Sequence, residues 1–266
     1  MEHKAQIGVF GGSGFYDLLD KAEELEIETE FGKPSAKIRL GEIANKKVAF
    51  LPRHGDKHTI PPHKVNYKAN IKAFKQLGVK QIIAPCAAGS LQPQVKPGHF
   101  VILDQFVDRT KGRDDTFFHG PQVAHIGGAD PYCSELAKQA LSACENLKIT
   151  VHKNGTVVVV NGPRFSTRAE SKWFTQQGWQ VINMTQYPEN ILAREKEMCY
   201  CGIALITDFD TGLEGMQDIY PVSIEEVIRV FNENNKKVKK LIYKIIKDLP
   251  DSEECSCHNA LAKALI

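Results

Sequence analysis

Residues Ile7 to Asp17 read IGVFGGSGFYD, a short apolar run that stops abruptly at Gly11-Gly12. The apolar part, Ile7–Phe10, reads as a strand, and directly after it come three glycines and a serine within four residues. Glycines tolerate the positive φ angles that let backbone N–H groups converge on an anion, which makes the loop a candidate phosphate cradle. Neither common nucleotide signature fits. The dinucleotide fingerprint needs glycines at i, i+2 and i+5, but counting from Gly12 gives Gly14 and then Asp17, and the Gly-Lys-Ser/Thr of a Walker loop is absent. A tight turn between strand and helix is the other reading of the same residues.

Working outward, strand-like runs recur at Val48–Leu51, Gln81–Ala84, Phe100–Leu103, Thr156–Val160, Val181–Asn183 and Gly202–Thr207. Helical patterns lie between them at Tyr67–Leu77, Ser134–Leu147, Thr167–Gln177 and Glu189–Met198. Strands alternating with helices predict an α/β fold, a largely parallel or mixed sheet covered on both faces. No repeat or Pro/Ser-rich linker divides the chain, so residues 1–250 are expected to form one domain and 251–266 a tail. A last helix opens at a predicted capping box, Ser223 with Glu226, and carries Ile224, Val227, Ile228, Phe231, Val238, Leu241, Ile242 and Ile245 at helical spacing. Its basic tract, NNKKVKKLIYKIIK, is expected to be a solvated face. The tail is polar and then apolar, and is expected to be mobile or docked on a neighbouring subunit.

With 266 residues, 42% hydrophobic and 25% charged, the chain can bury a sizeable core, and a net charge of +2 excludes the basic stripe of a nucleic-acid binder. No apolar run approaches the ~20 residues of a membrane span, and the start MEHKAQIGV lacks the pattern of a signal peptide, so a cytoplasmic protein is expected. Seven cysteines include two Cys-x-Cys pairs, Cys199/Cys201 and Cys255/Cys257. An odd count without an export signal argues for free thiols; disulfides suit a hyperthermophile, and a four-cysteine zinc site would more often space its ligands Cys-x₂₋₄-Cys.

In an open α/β sheet, ligands gather at the carboxyl ends of strands. The residues just past each predicted strand are therefore informative: Ser13 in its glycine loop, Arg53 and His54, a small-residue turn Cys86-Ala87-Ala88-Gly89, the loop NGPRFSTRAE, Met184-Thr185, and TDFD. Ser13, Arg53, the small-residue turn and Thr185 together describe an anion cage, since a guanidinium fork matches phosphate oxygens and bare backbone can approach closely. Thr185 could equally cap the helix after it. Asp208 and Asp210 straddle one residue at a strand end and point to one side. They could bind a metal, act as an acid/base pair or read the donors of a ring; no His or Cys spacing beside them favours a metal.

Seven motifs then coincide in order: GGSGFYD, LPRHGDKHTIPPHKVNY, AAGSL, DQFVDRTKGR, GPRFSTRAES, NMTQYPENILARE and TDFD, spanning about Ile7 to Leu249. The chain closely resembles the trimeric purine nucleoside phosphorylases, in particular their 5′-methylthioadenosine phosphorylase branch. The resemblance implies phosphorolysis of a purine nucleoside, with inorganic phosphate as a substrate and no cofactor. It implies that Ser13, Arg53, His54, Cys86, Ala87 and Thr185 hold phosphate, that Asp208 serves purine N7 as general acid, and that Asp210 receives the exocyclic amine. Phe165 would stack on the ring, Met184 touch the ribose hydroxyls, and Ser166 and Ile224 tune specificity. His125, in VAHIGGADPYC, would reach the 5′ group in a neighbour's site, which implies a trimer or a dimer of trimers.

The chain departs from that branch at Cys86, where threonine is usual, at Phe209, where tyrosine is usual, and in a longer, more polar loop TGLEGMQDIYPV. These departures bear on the 5′ substituent. Two aspartates where 6-oxopurine enzymes carry an asparagine favour 6-aminopurines; a 6-oxopurine or adenosine phosphorylase is the alternative. A thiol-rich metal or redox protein is the alternative from another class.

Overall fold

Strand β1 (Ile7–Gly11) sits centrally, pairing in parallel with β4 (Lys46–Pro52) on one side and with β5 (Gln81–Ser90) on the other. The computed structural model describes residues 4–19, 21–216, 219, 224–250 and 254–266, without the side chains of 224–228. Among these, nine strands share one mixed sheet, in the order β2-β3-β4-β1-β5-β8-β7-β6-β9, where β2 is Glu23–Leu25, β3 Ile38–Ile43, β6 Phe100–Arg109, β7 Val151–Val160, β8 Val181–Asn183 and β9 Cys199–Phe209. Because β5 pairs with β9 as well as with β8, the last five strands close on themselves. The mixed, helix-covered sheet is the expected α/β class; its closure is not visible in any local pattern.

Both faces of the sheet are apolar, as a helix-covered sheet requires. Ile7 and Val9 face one core layer with α2 (Ser134–Asn146) and α5 (Ile224–Asp248). Phe10 faces the opposite layer, with α1 (Tyr67–Gln76) and Leu192 and Ala193 of α4 (Gln186–Glu195). Helix α3 (Arg168–Gln176) packs Phe174 against a smaller cluster on β7 and β8. On α5, Val238, Leu241, Ile242, Ile245 and Ile246 are fully buried while Lys236 and Lys240 are exposed, the amphipathic cover its spacing predicts. The predicted Ser223–Glu226 capping box and the Ile224 side chain lie outside the described residues.

Two expectations are corrected. Strands β2 and β3 escape the sequence pattern because β2 is three half-exposed or exposed residues and β3 buries only Ile38 and Ile43. Cys86-Ala87-Ala88-Gly89 is not a turn: β5 runs on to Ser90, since Cys86, Ala87 and Ala88 pair in parallel with Ala204, Leu205 and Ile206 of β9. Within its described residues the tail packs on its own chain, with Cys257 buried, Leu261 N donating to Glu197 Oε1 at 3.2 Å and Ala124 bridging to Leu265. Among the described residues, no helix is long and apolar enough to cross a membrane.

Candidate active site

The strand ends converge on one cleft of about 550 Å³. Ser13, Arg53, His54, Cys86, Ala87, Phe165, Ser166, Met184, Thr185, Asp208 and Asp210 all line it. His125 does not. It is exposed on a separate loop, where its N–H donates to Ala264 O at 2.8 Å. Ile224 opens α5, and its side chain is outside the described residues.

One part of the cleft gathers Gly12, Ser13, Arg53, His54 and Thr185. The glycine loop is held close by Arg53 N donating to Gly11 O at 2.9 Å. Gly14 has φ +68, and a Cβ there would stand 2.0 Å from Phe231 Cε1, so this position demands glycine on both counts. Phe231 itself lines the cleft, although its helical spacing predicts only a core role. Arg53 is fully buried, and its fork is clamped by Glu189: Nε to Oε2 at 2.6 Å and Nη2 to Oε1 at 2.7 Å, while Nη1 donates to Pro85 O at 3.1 Å. Tyr200 Oη donates to Glu189 Oε1 at 2.6 Å, so the buried charge pair is also hydrogen-bonded, the condition under which such a pair survives desolvation. Glu189 is a residue that sequence reasoning missed; its only signal was its place inside NMTQYPENILARE.

His54 Nδ1 lies 2.8 Å from Ile60 O, which fixes it as the donor and leaves Nε2 an acceptor. Burial, helped by the Arg53 charge, pushes the ring down to about 4, so it is neutral at physiological pH. Burial also pushes the Cys86 thiol up to about 12, which keeps a thiolate out of an anion site. Thr185 stands at the N-cap position of α4 but makes no side-chain cap bond; Asn183 Oδ1 instead accepts from Thr185 N at 2.9 Å and Gln186 N at 3.0 Å. The capping work is done by Asn183, and the Thr185 hydroxyl proton is released for the cleft.

In the same cleft, Gly89 lies beneath both aspartates: a Cβ there would meet Asp208 Oδ1 at 3.3 Å and Asp210 Cβ at 3.6 Å. The two carboxylates therefore share one side, as their spacing predicts. Asp208 Oδ2 accepts from Thr207 Oγ1 at 2.6 Å. Burial, reinforced by Asp210, raises its carboxyl to about 6 although the Thr207 bond pulls the other way. Burial raises Asp210 as well, opposed by the Ser171 hydroxyl. Among the described residues, Asp210 Oδ2 and Ser166 Oγ are buried without a hydrogen-bond partner, an arrangement that costs about 1–3 kcal/mol per group. Phe165, 78% exposed, offers an aromatic face at the rim.

A cleft that joins a buried arginine, a glycine loop and two raised carboxyls is matched by what the whole chain resembles. The model of a family described as the phosphorylase superfamily matches residues 6–247. The chain belongs to the phosphorylase superfamily. Within this superfamily it is 50% identical to the S-methyl-5′-thioadenosine phosphorylase of Thermofilum pendens, over 99% of both chains. It is 46% identical to the purine nucleoside phosphorylase of Streptomyces coelicolor, over 97% of this chain and 95% of that one. Among solved superfamily structures, a methylthioadenosine phosphorylase from an antarctic soil metagenomic library superposes with a TM-score of 0.93 at 40% identity, covering 99% and 93% of the two chains. The methylthioadenosine phosphorylase of Schistosoma mansoni in complex with adenine gives 0.89 at 35% identity, covering 97% and 96%. Superfamily membership decides between an enzyme and a thiol-rich metal or redox protein in favour of the enzyme.

Proposed function

We propose that this chain catalyses phosphorolysis of 5′-methylthioadenosine: phosphate attacks C1′ as the bond to purine N9 breaks, leaving adenine and 5-methylthioribose 1-phosphate. The observation that carries the reading is that Asp208 and Asp210, side by side over Gly89, line the same cleft as Ser13, Arg53 and Thr185. Leaving-group departure places negative charge on the purine and positive charge on the ribose. An anion beneath the sugar stabilises the second, and a proton at N7 the first. Asp208, held protonated to about pH 6 by burial, supplies that proton. Asp210 accepts from the exocyclic amine. Arg53, kept rigid by Glu189, together with the hydroxyls of Ser13 and Thr185, binds phosphate, while neutral His54 accepts the remaining phosphate O–H at Nε2. Ala87 and Cys86 add no negative charge and little bulk. Phe165 covers the purine, Met184 the ribose, and Ser166 and Ile224 border the specificity pocket. No cofactor takes part in this scheme, and the enzyme works in the cytoplasm.

A second reading, preference for 6-oxopurine nucleosides, is favoured by the raised carboxyl of Asp210, which when protonated can donate to O6. A substrate panel separates the two. With phosphate present, adenine release from 5′-methylthioadenosine is expected to exceed hypoxanthine release from inosine by at least about 10²-fold in kcat/KM, the order of discrimination that an unmatched buried polar group provides. Without phosphate neither base is released. Faster cleavage of inosine overturns the substrate assignment but leaves the reaction type standing.

His125 lies outside its own chain's cleft, which fits a role in the 5′ end of a neighbour's site within a cyclic oligomer, whose heterologous interfaces let each subunit lend a residue to the next. Mixing an inactive Asp208→Asn chain that keeps His125 with an Asp208-intact, His125→Ala chain is expected to restore activity above the ratio-weighted mean of the parents. Activity that only tracks that mean places His125 in its own subunit's site or in none.

A further inference from the structure

Away from the cleft, four cysteines from three separated segments meet: Cys133 immediately before α2, Cys199 at the start of β9, and Cys255 and Cys257 of the tail, their sulfurs all within 4.8 Å of one another. We propose that these four side chains form a structural zinc site that fastens the tail to the body of the enzyme. In a tetrahedral centre with Zn–S bonds of about 2.3 Å, sulfur–sulfur edges are about 3.8 Å. Cys133 Sγ and Cys255 Sγ are 3.7 Å apart. A disulfide would draw two sulfurs to about 2.05 Å, whereas all four are free cysteines. A sulfide-bridged iron cluster interposes its own atoms and would hold the cysteines farther apart.

The surroundings suit thiolates. Cys133 is the N-cap of α2, and Leu136 N donates to its sulfur at 3.5 Å, at the helix end that favours negative charge. His258 Nε2 lies 3.6 Å from Cys199 Sγ, placed to donate to it in the manner of the outer partners that orient metal ligands. Binding Zn²⁺ releases the four thiol protons and involves no change of oxidation state. Of the adjacent pair Cys199/Cys201, only Cys199 takes part; Cys201 is buried in the same core layer but is not one of the four. The site has a structural consequence beyond itself. The tail it pins continues to Ala264, Leu265 and Ile266, which hold the loop of Val123, Ala124 and His125 through backbone bonds.

The full chain, produced in zinc-supplemented medium and purified under anaerobic, reducing conditions without a metal-affinity step, is expected to carry one zinc per chain by elemental analysis. Exchange with Co²⁺ should give thiolate-to-cobalt charge transfer in the near ultraviolet together with the strong visible bands of a tetrahedral centre. Cys255→Ser and Cys257→Ser should each lose most of the bound zinc, whereas Cys144→Ala, outside the group, should retain it. Should a variant fail to fold, the cobalt spectrum of the unaltered chain decides. Four reduced thiols without metal, iron in place of zinc, or an intact mass showing a disulfide within the group under these conditions overturns the proposal.

Discussion

Asp208→Asn lowers turnover about 10²–10⁴-fold, the usual worth of a positioned general acid, and at the same time makes the protein more stable at neutral pH. The two effects share one cause. Burial raises the carboxyl from 3.8 to about 6, so the folded state holds that proton more tightly than the unfolded chain does. The stability this proton confers is fully present below 3.8 and is lost as pH rises through about 6; the shift corresponds to about 3 kcal/mol. An amide pays no such penalty. Thermal unfolding should therefore show the variant above the wild type at pH 8, with the gap closing towards pH 4. In the wild type, kcat/KM should fall as pH rises through about 6 while the variant lacks that limb. Unchanged turnover would remove Asp208 from catalysis, and a stability gain equal at both pH values would remove burial as the origin of its shift.

Arg53→Ala combines a binding defect with a folding defect, and the structure says how to separate them. Removing the guanidinium leaves Glu189 buried and uncompensated, which costs about 3–5 kcal/mol of stability. In the proposed role it also removes a charged donor to phosphate, worth about 1.5–3 kcal/mol, or roughly 10–150-fold in the phosphate requirement. The double variant Arg53→Ala/Glu189→Gln no longer buries a lone carboxylate, so denaturant unfolding should show part of the stability restored. Its phosphate requirement should stay as high as in the single variant, with the nucleoside requirement little changed. Equal weakening towards both substrates would refute the phosphate assignment, and unchanged stability would refute the account of the ion pair.

Much of this site was legible along the chain because its residues sit at strand ends, and strand ends are marked locally, by apolar runs that give way to glycine, proline or polar residues. Ser13, Arg53, Thr185, Asp208 and Asp210 were reachable in that way, and all of them line the cleft. Their partners were not. Glu189 lies 136 residues from Arg53 and carries no local mark of burial, since an acidic residue in a helical pattern ordinarily faces water. Asn183 displaces Thr185 from the capping role because its side chain reaches two successive N–H groups, a choice that only the backbone geometry of the strand-to-helix junction decides.

What the sequence determined alone is whatever depends on near neighbours: the α/β alternation, the buried central strands, the amphipathic last helix, the glycine loop and the same-side placement of two aspartates. Ordered motifs carried it further, to the family. Tertiary structure decided everything that depends on which distant surfaces lose water together. Residues Cys86 to Gly89 are strand because β9 lies beside them, the last five strands close because β5 meets two partners, and the tail docks because Cys257 enters a core layer built by α2, α5 and β9. Periodicity reports how a segment divides its own faces between water and protein. It holds no record of which segment covers the other face, and that pairing sets the Arg53–Glu189 clamp, the raised carboxyl of Asp208 and the meeting of four cysteines.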